Sequence, residues 1–462
     1  MTVSIARQIA FRALSAIEQK GAYTHLALRA ALEETTPQPS DAALASEIVH
    51  GVTVWRRLLD HWIETLTKDH SGHMQHTVRT LLRMALYQMR FLERVPPYAV
   101  VNDAVEQTKI YAQRAAGFVN GVLRAALRQT AYLQPARTVD DLADCAVEQL
   151  ALRLSYPDWL AQSLIATYGR TVAISAMVAM NESPVRTVRV NRLVATREEV
   201  LASLAESGVQ AEACALSPEG IRLLSRTQPE TIPDVMAGRC TLQGESSMLV
   251  APVLAPKPGQ KVLDACAAPG GKATHLAELS LDQADITAMD LHEHRARAIA
   301  RTARHLGLHS VRAVTGDARE VQEDFDAILL DAPCSGIGTI ARKSDLKWTA
   351  APLKTAAIVQ LQRELLSALA KRVKPGGKLL YSTCTLLPEE NEQQREQFLR
   401  DHPDFVAEPF DLPGLRQIDA SRSAGADGQA RIWPQDFGGD GFYLALFRRI
   451  PDWTNQAKEE SV

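Results

Sequence analysis

The chain lacks several features that would assign it to a familiar class. None of its six cysteines belongs to a Cys-x-x-Cys pair, so neither a zinc site nor a disulfide framework is indicated. No apolar run reaches the ~18 residues that a membrane span needs, and the amino terminus is typical of an amphipathic helix rather than a secretory signal. We therefore expect a cytoplasmic protein without a metal or a membrane partner. An organellar presequence stays an alternative, because Arg7 and Arg12 precede the first acid, Glu18.

The chain also has little net charge, −3 over 462 residues, so its overall composition does not indicate a nucleic-acid partner. Its 46% apolar and 23% charged residues suit a globular protein of roughly three domains at ~150 residues each. The charge is uneven, with fifteen Lys and Arg against eleven Asp and Glu up to Pro135. This excess permits RNA contact, although solvated outer faces of a helical bundle explain it equally well.

The first 136 residues have helical periodicity and no strand-like runs. Ile5, Ile9, Ala13 and Ile17 fall on one helix face, which predicts an all-α bundle. Gly117 and Gly121 punctuate the last turns, and Pro96-Pro97 ends a helix. We assign residues 1–136 to this bundle.

Residues 137–239 mix helices with short strand-like runs and predict a small α+β module. The run Arg186–Asn191 predicts a strand, followed by a helix over Arg197–Gly208. Basic and polar residues of this run and its continuation, Arg186, Arg189, Asn191 and Arg192, alternate with Val188, Val190 and Leu193. One face can therefore meet a phosphate backbone while the other packs, and an ordinary solvated face fits as well.

From about Gln243 the pattern becomes strand, turn and helix, repeated. This alternation predicts a Rossmann-like domain over residues 240–450, with a mostly parallel sheet covered on both faces. Pro375-Gly376-Gly377 predicts a tight entry to the last of these strands, Pro413–Gln429 a surface loop, and 451–462 a flexible tail. The predicted strands are Lys261–Ala265, Ile286–Asp290, Val311–Val314, Phe325–Leu330 and Leu379–Ser382.

The first turn of this sheet, Cys266–Lys272, has the composition of a ligand-binding loop. Gly270 and Gly271 let the backbone approach a ligand, and the next helix directs its free amides at that ligand. Asp290 ends the second strand, where a carboxylate accepts both hydroxyls of a ribose, and Asp317 follows the third strand, where it can hold an adenine amino group. Neither a Gly-x-Gly-x-x-Gly nor a P-loop spacing is present, so the combination favours S-adenosylmethionine over a dinucleotide or a nucleoside triphosphate.

Two cysteines should face the same crevice. Cys334 follows the fourth strand in Asp331-Ala332-Pro333-Cys334, and Cys384 follows the fifth. Carbon 5 of cytosine is a poor nucleophile, but a thiolate that adds to carbon 6 activates it for methylation. Asp331 can hydrogen-bond the cytosine amino edge, and the second thiol can assist release. The spacing does not say which thiol plays which part.

Other chemistry fits the strand end less well. Methylation of an exocyclic amine favours an Asn/Asp-Pro-Pro-aromatic strand end, and here Cys334 replaces the second proline.

The other three cysteines lie outside these motifs. We interpret Cys145, Cys214 and Cys240 as small buried apolar residues.

On these motifs the sequence resembles the Nol1/Nop2/Sun family of RNA cytosine-5 methyltransferases, and most closely its bacterial Fmu/Sun branch, which acts on 16S ribosomal RNA. The resemblance covers nearly the whole chain, because the first domain is similar to the NusB-like domain of that branch. It rests there on Gly51-Val52, Tyr87-Gln88, Val95-Pro96-Pro97 and Phe118–Arg124. Further matches are Asp345-Leu346-Lys347-Trp348, Leu387–Asn391 and Asp440-Gly441-Phe442-Tyr443.

The resemblance implies a role for each matching residue. It implies Cys384 as nucleophile, Cys334 as the helper in product release, and Lys272 in contact with the methionine end of the cofactor or with Asp331. It further implies that S-adenosylmethionine is bound by Cys266, Ala267, Ala268, Pro269, Gly270, Gly271, Lys272, Asp290, Asp317 and Asp331.

The sequence departs from the family pattern in two places. Gly244 stands where the family usually has Asp, and Ala341–Asp345 lacks the usual first Arg and the Pro before Asp. Neither place includes a thiol or the cofactor loop, so the departures bear on substrate contacts.

Together these observations predict a monomeric enzyme that methylates carbon 5 of one cytosine in small-subunit ribosomal RNA. The base must be unstacked to admit a thiol, which favours unassembled or partly assembled RNA. Methylation of transfer RNA by the same chemistry is one alternative. A non-enzymatic RNA-binding or antitermination factor, suggested by the first domain alone, is another.

Overall fold

The computed structural model describes residues 3–68, 74–129, 134–142, 144–183, 185–225, 229–418 and 425–451. Its helices are α1 (Ile5–Lys20), α2 (Thr24–Glu33), α3 (Pro39–Val54), α4 (Arg56–Thr67), α5 (His76–Phe91), α6 (Pro97–Tyr111), α7 (Ala116–Arg128), α8 (Val147–Arg153), α9 (Asp158–Tyr168), α10 (Arg170–Ala179), α11 (Arg197–Glu206), α12 (Pro233–Met236), α13 (Glu245–Met248), α14 (Val250–Leu254), α15 (Gly271–Leu279), α16 (Glu293–His305), α17 (Leu346–Thr349), α18 (Pro352–Ala370), α19 (Glu392–Asp401), α20 (Pro413–Ile418) and α21 (Pro434–Phe437). Its strands are β1 (Arg186–Val190), β2 (Ala211–Ala213), β3 (Gly220–Leu223), β4 (Cys240–Leu242), β5 (Lys261–Asp264), β6 (Asp285–Asp290), β7 (Val311–Thr315), β8 (Phe325–Asp331), β9 (Val373–Thr383), β10 (Phe405–Ala407), β11 (Gln429–Ile432) and β12 (Phe442–Arg449).

Contacts group the chain into two compact units. One contains Met1–Asn181 with Arg342–Thr349, and the other contains Glu182–Ala341 with Ala350–Val462. The division into domains 1–136, 137–239, 240–450 and a tail stays a prediction. Residues 452–462 lie outside the described residues. In the described part of the chain, no helix is both long and apolar enough to cross a membrane.

The first unit begins with the predicted helical bundle, α1 to α7. Ile9 and Ala13 of α1 are fully buried in its core, whereas Ile5, in the first turn, is 51% exposed, contrary to the predicted face. Gly117 and Gly121 lie inside α7 and do not end a helix, which is a second correction. Both glycines have a helical backbone conformation, so each lowers the stability of α7 only by the ordinary difference in helix propensity between glycine and other residues.

The segment Arg342–Thr349 packs with this first unit. The indole N–H of Trp348 donates to the carbonyl of Thr53 at 2.8 Å. The ammonium of the fully buried Lys347 lies 3.8 Å from the ring centroid of Tyr156 and bonds the carbonyl of Ser155 at 3.4 Å. A buried ammonium needs such acceptors to offset desolvation.

The second unit begins with the small α+β module. Its four strands pair antiparallel in the order β2-β3-β1-β4, with α11 and α12 between them in the chain, the topology of a ferredoxin-like fold. A capping box at Thr196 and Glu199 starts α11. The predicted polar face of β1 is wrong at Arg189 and, just beyond the strand, at Asn191, because both are almost completely buried.

The rest of the second unit is built on an eight-stranded sheet in the order β10-β12-β9-β8-β5-β6-β7, with β11 paired to β12. Strands β7, β6, β5, β8 and β9 are parallel, as predicted, and β12 continues the sheet antiparallel to β9. Alternate residues of these strands enter two cores on opposite faces, Val262 in one and Leu263 in the other. The predicted mostly parallel sheet, covered on both faces, is confirmed.

Two local predictions need correction. Pro375-Gly376-Gly377 does not precede the last parallel strand but lies inside β9, where the pairing with β8 slips between Phe325 and Ala327. The predicted loop Pro413–Gln429 begins with helix α20, and Gln429 starts strand β11. Residues 419–424 of that prediction lie outside the described residues.

Candidate active site

The candidate residues lie where parallel strands end. Strands β5, β6 and β8 end at Asp264, Asp290 and Asp331, and β9 ends at Thr383, directly before Cys384. The sheet register pairs Asp264 with Ala288 and Asp331 with Ser382, so these ends share one edge. In an open α/β sheet this carboxyl edge forms the binding crevice.

The cofactor loop turns sharply at Gly270. This residue is the N-cap of α15 with φ at 108°, a left-handed conformation that side chains disfavour. A β-carbon there would also lie 3.1 Å from the Cα of Ile299. The first amides of α15 have no partner within the helix, so this turn presents backbone donors at the crevice. A ligand with an anionic or carbonyl group fits this cradle.

Lys272 joins the loop to the end of β8. Its ammonium donates to Asp331 Oδ2 at 2.7 Å, and the Ser382 hydroxyl donates to Asp331 Oδ1 at 2.8 Å. Burial is the largest single influence and acts to lower the pKa of Lys272, but the charge and hydrogen bond of Asp331, together with Cys384 and Asp264, outweigh it and the pKa is raised. Of the two contacts implied for Lys272, the one with Asp331 is therefore present. The ammonium also lies 5.5 Å from the ring centroid of Phe442.

Two groups, the carboxyl of Asp264 just before the loop and the thiol of Cys266 at its start, favour their neutral forms. Burial, and then the charge of Asp331, raise the pKa of Asp264 to about 8, although Lys272 and the backbone N–H of Cys266 oppose the rise. Among the described residues, neither carboxylate oxygen of Asp264 has a side-chain hydrogen-bond partner. Burial and Asp264 likewise raise the pKa of Cys266 to about 12, so this thiol is not a nucleophile at neutral pH.

The two predicted nucleoside-binding carboxylates already have partners. Asp290 accepts from the backbone N–H of His292 at 3.1 Å, and its Oδ2 lies 3.4 Å from Nε of Arg295, whose side chain is half exposed. Asp317 is bound through both oxygens by Arg319, which lowers the pKa of Asp317. Asp317 would have to share its oxygens with an adenine amino group, and its role stays a prediction.

The two thiols meet. Sγ of Cys334 and Sγ of Cys384 are 3.4 Å apart, and both residues are half-buried. The hydrogen bond from Cys334 lowers the pKa of Cys384, with help from the charge of Lys272 and against burial and Asp331. The same hydrogen bond, followed by burial, raises the pKa of Cys334 well above its usual value. The two shifts favour the proton on Cys334 and the thiolate, the reactive form of cysteine, on Cys384.

Glu390 holds the two thiol-bearing loops together, a function that the sequence did not reveal. Its Oε2 accepts from the backbone N–H of Ser335 at 2.8 Å and from Gln362 at 3.0 Å, and Gln362 also donates to the carbonyl of Pro333 at 2.9 Å. The Ser335 hydroxyl lies 2.8 Å from that of Thr385, which follows Cys384. Burial raises the pKa of Glu390. The motif that contains Glu390 was recognised only by resemblance, because three loops distant in the chain must meet before its function appears.

The three remaining cysteines differ in burial. Cys214 and Cys240 are buried as predicted, and burial raises the pKa of Cys240 to about 12. The prediction for Cys145 is wrong: it is half-buried, and its Sγ lies 3.7 Å from a guanidinium nitrogen of Arg153. Among the described residues, no group of three or more His, Cys, Asp or Glu side chains is arranged to hold a metal ion.

Comparison with known proteins assigns families to all three parts of the chain. A family described as 16S rRNA methyltransferase RsmB/F matches residues 251–448, the NusB family matches residues 4–128, and a ferredoxin-like domain of RsmF/B-like methyltransferases matches residues 156–229.

Curated relatives match over nearly their whole length. A probable ribosomal RNA small subunit methyltransferase B of Bacillus subtilis is 37% identical, over 96% of this chain and 98% of the relative. A protein of the same description from Synechocystis is also 37% identical, over 96% and 99%. Among solved structures, a methyltransferase homolog protein from Pyrococcus horikoshii is 31% identical, with a TM-score of 0.58 over 66% of this chain and all of that one.

Proposed function

The chain belongs to the RsmB/F family of 16S ribosomal RNA methyltransferases, and on that premise we propose that it methylates carbon 5 of a cytosine through a covalent bond to Cys384. The observation that carries the proposal is the thiol pair: two sulfurs 3.4 Å apart, within hydrogen-bond distance, beside the ion pair of Lys272 and Asp331. Methylation of an oxygen or of an exocyclic nitrogen has no use for such a pair, whereas ring-carbon chemistry needs a nucleophile and a proton acceptor.

The residues at the crevice fit S-adenosylmethionine. The sharp turn at Gly270 and the free amides of α15 suit the methionine carboxylate, and Asp290 suits the ribose hydroxyls. The side chain of Asp264, with a pKa of about 8, is a buried carboxyl group that lacks a side-chain partner and suits a polar group of the ligand. When bound, S-adenosylmethionine supplies an electrophilic methyl group.

The first step belongs to Cys384. Its thiolate adds to carbon 6 of the cytosine, and the electron pair of the 5,6 double bond moves into the ring, which makes carbon 5 nucleophilic. Asp331 hydrogen-bonds the amino edge of the base and favours the adduct, while Ser382 and Lys272 hold that carboxylate in place. This hydrogen bond holds the base in the orientation that the addition requires.

Adduct formation prepares Cys334 for the second step. The largest cause of the raised pKa of Cys334 is its hydrogen bond to Cys384, and this cause is weakened once the Cys384 sulfur is bonded to carbon. Cys334 must then lose its proton to solvent before it can act as the base. After methylation, its thiolate accepts the carbon 5 proton, the bond between carbon 6 and sulfur breaks, and the double bond re-forms. Cys384 leaves as a thiolate and Cys334 as a thiol, which restores the starting pair.

The test is a set of three cysteine variants with labelled cofactor and ribosomal RNA. Cys384→Ser should abolish labelling, and a fully active variant would defeat the nucleophile assignment. Cys334→Ser should accumulate a protein–RNA adduct that survives denaturing gels, and its absence would count against a role in release. Cys145→Ser, altered at a half-buried thiol in the other compact unit, is the matched control and should retain wild-type activity.

Two further experiments on the wild-type protein test which RNA class it methylates and whether it is an enzyme at all. We expect labelling of small-subunit ribosomal RNA and not of transfer RNA, and the reverse would select the alternative substrate. Isothermal titration should detect S-adenosylmethionine binding, and a wild-type protein that binds none would favour a non-enzymatic RNA-binding factor.

A further inference from the structure

Arg189, on strand β1 of the small module, is fully buried although the sequence pattern placed it on a solvent-facing strand surface. Its guanidinium forms an ion pair with the equally buried Glu278 of α15, with Nη2 at 2.6 Å from Oε1 and Nε at 3.2 Å from Oε2. Burying two charges carries a large desolvation cost, so this ion pair by itself is weak grounds for a stabilising role.

The remaining donors of Arg189 converge on the first turn of α15. Nη1 donates to the carbonyl of Gly271 at 2.7 Å and to the side-chain oxygen of Gln243, and Nη2 donates to the Thr274 hydroxyl at 3.2 Å. That hydroxyl itself donates to the carbonyl of Gly270 at 2.8 Å. One side chain thus fixes, directly or through Thr274, the carbonyls of both glycines in the cofactor loop.

Fixing these carbonyls also orients the donors on the other side of each peptide. The peptide unit is planar, so the carbonyl of Gly270 shares a plane with the N–H of Gly271, and the carbonyl of Gly271 shares a plane with the N–H of Lys272. These N–H groups belong to the first turn of α15, whose amides lack partners within the helix.

Gln243 braces the same turn from a second direction. Its amide nitrogen donates to the carbonyl of Ser247 at 3.0 Å, which sets the orientation of the carboxamide. A β-carbon on Gly271 would lie 3.9 Å from the Gln243 side chain, so Gln243 flanks the loop at this residue. Arg189 therefore connects β1, the segment after β4 and the loop through one guanidinium.

We propose that Arg189 is a positioning residue through which the small module orients the backbone donors that bind S-adenosylmethionine. The inference rests on the proposed function, because it assigns the cofactor to that turn. Arginine suits the task because its planar fork serves several acceptors in fixed directions, which a lysine ammonium does not. The role of the module is then to shape the cofactor site, in addition to any contact with RNA.

The test compares cofactor affinity with stability in matched variants of the full chain. Arg189→Lys keeps a charge beside Glu278 but loses the fork, and we expect the Kd for S-adenosylmethionine to rise roughly tenfold, which corresponds to the loss of about one net hydrogen bond. The double variant Arg189→Met with Glu278→Met removes the ion pair without leaving a lone charge, so its Tm should stay near that of the wild type. Its Kd should nevertheless rise as in Arg189→Lys.

The control is Arg192→Gln, on the same module, where the side chain is 47% exposed and its nearest acidic partner, Glu219, lies 3.6 Å away. It should leave the Kd unchanged. In steady-state assays, the variants of Arg189 should raise the KM for the cofactor and leave the KM for RNA as it was. A wild-type Kd in Arg189→Lys, or in the double variant, overturns the inference. A wild-type protein that binds no S-adenosylmethionine instead overturns the proposed function, so the two failures are distinct.

Discussion

Gly338 offers a direct test of how the backbone places Cys384. Its N–H donates to the Cys384 carbonyl at 3.0 Å, and its own carbonyl accepts from the N–H of Gly441 at 2.8 Å. A β-carbon at 338 would lie 2.9 Å from the Cys384 oxygen and closer still to the Gly441 oxygen, nearer than real β-carbon contacts allow. Both obstacles are backbone atoms, so neither can rotate away.

In Gly338→Ala the β-carbon can clear the Gly441 oxygen only by a shift of about 1 Å, and because Gly338 is hydrogen-bonded to Cys384 this shift should carry the Cys384 backbone with it. A misplacement of that size typically costs about 100-fold in rate, which corresponds to about 2.7 kcal/mol in the barrier. The crowded β-carbon also costs about 1–3 kcal/mol of stability, as overpacking generally does. The cofactor loop is on other elements, so the affinity for S-adenosylmethionine should change little.

The assay is single-turnover methylation of ribosomal RNA, with kcat/KM and adduct formation measured beside Tm and cofactor Kd. Gly117→Ala is the matched control, because a β-carbon there meets nothing within 4 Å and the residue lies inside α7. It should leave methylation unchanged and stabilise the helix by roughly 0.5–1 kcal/mol. Wild-type kcat/KM in Gly338→Ala would refute the view that this glycine sets the position of the nucleophile.

Three further predictions concern Glu390, Asp264 and Asp317. Glu390→Ala leaves the N–H of Ser335 unpaired and should lower the stability of the protein by about 1–3 kcal/mol. Glu390→Gln keeps an acceptor and should lower the stability less. Differential scanning calorimetry measures both, and equal losses of stability would contradict the prediction. Asp264, with a pKa of about 8, keeps its proton in the folded protein at pH values where an unfolded aspartate has lost it, so stability should fall as pH rises from about 4 to about 8. Asp264→Asn removes that dependence, and its Tm relative to the wild type should increase across this window; a constant difference would speak against the raised pKa. If Asp317 binds the adenine, Asp317→Ala should weaken cofactor binding about tenfold. Arg319→Ala should not weaken it, because removing the competing guanidinium frees the carboxylate. Isothermal titration measures both affinities, and weaker binding in Arg319→Ala alone would reverse the assignment.

Much of the fold was predictable because its signals are local. The alternation of strand and helix, and the apolar strands buried on both faces, indicated the parallel sheet from Lys261 to Thr383. The glycines after β5 and the carboxylates at strand ends indicated the cofactor crevice, since parallel topology brings successive carboxyl ends to one edge. Antiparallel strand β12 was not predicted as a strand, because it follows the last strand-turn-helix repeat and its beginning was interpreted only as a match to the family.

Other features depended on contacts that no local pattern records. The alternation around β1 was read as one packed and one solvated face, yet Arg189 pairs with Glu278, 89 residues away. Glu390 likewise gained its function from Ser335 and Gln362, which reach it only after β8, α18 and β9 have packed.

By itself, the sequence determined the classes of the three parts and singled out the candidate cofactor loop and the two candidate thiols, because each depends on periodicity or on residue types within a few positions. The tertiary structure decided that the pKa of Cys384 is lowered and that of Cys334 raised, since these shifts depend on the 3.4 Å between the two sulfurs and on the charged groups around them. It also placed a buried arginine of the small module, Arg189, against the carbonyl of Gly271. Burial and charge proximity are properties of the folded chain, and a single sequence does not record them.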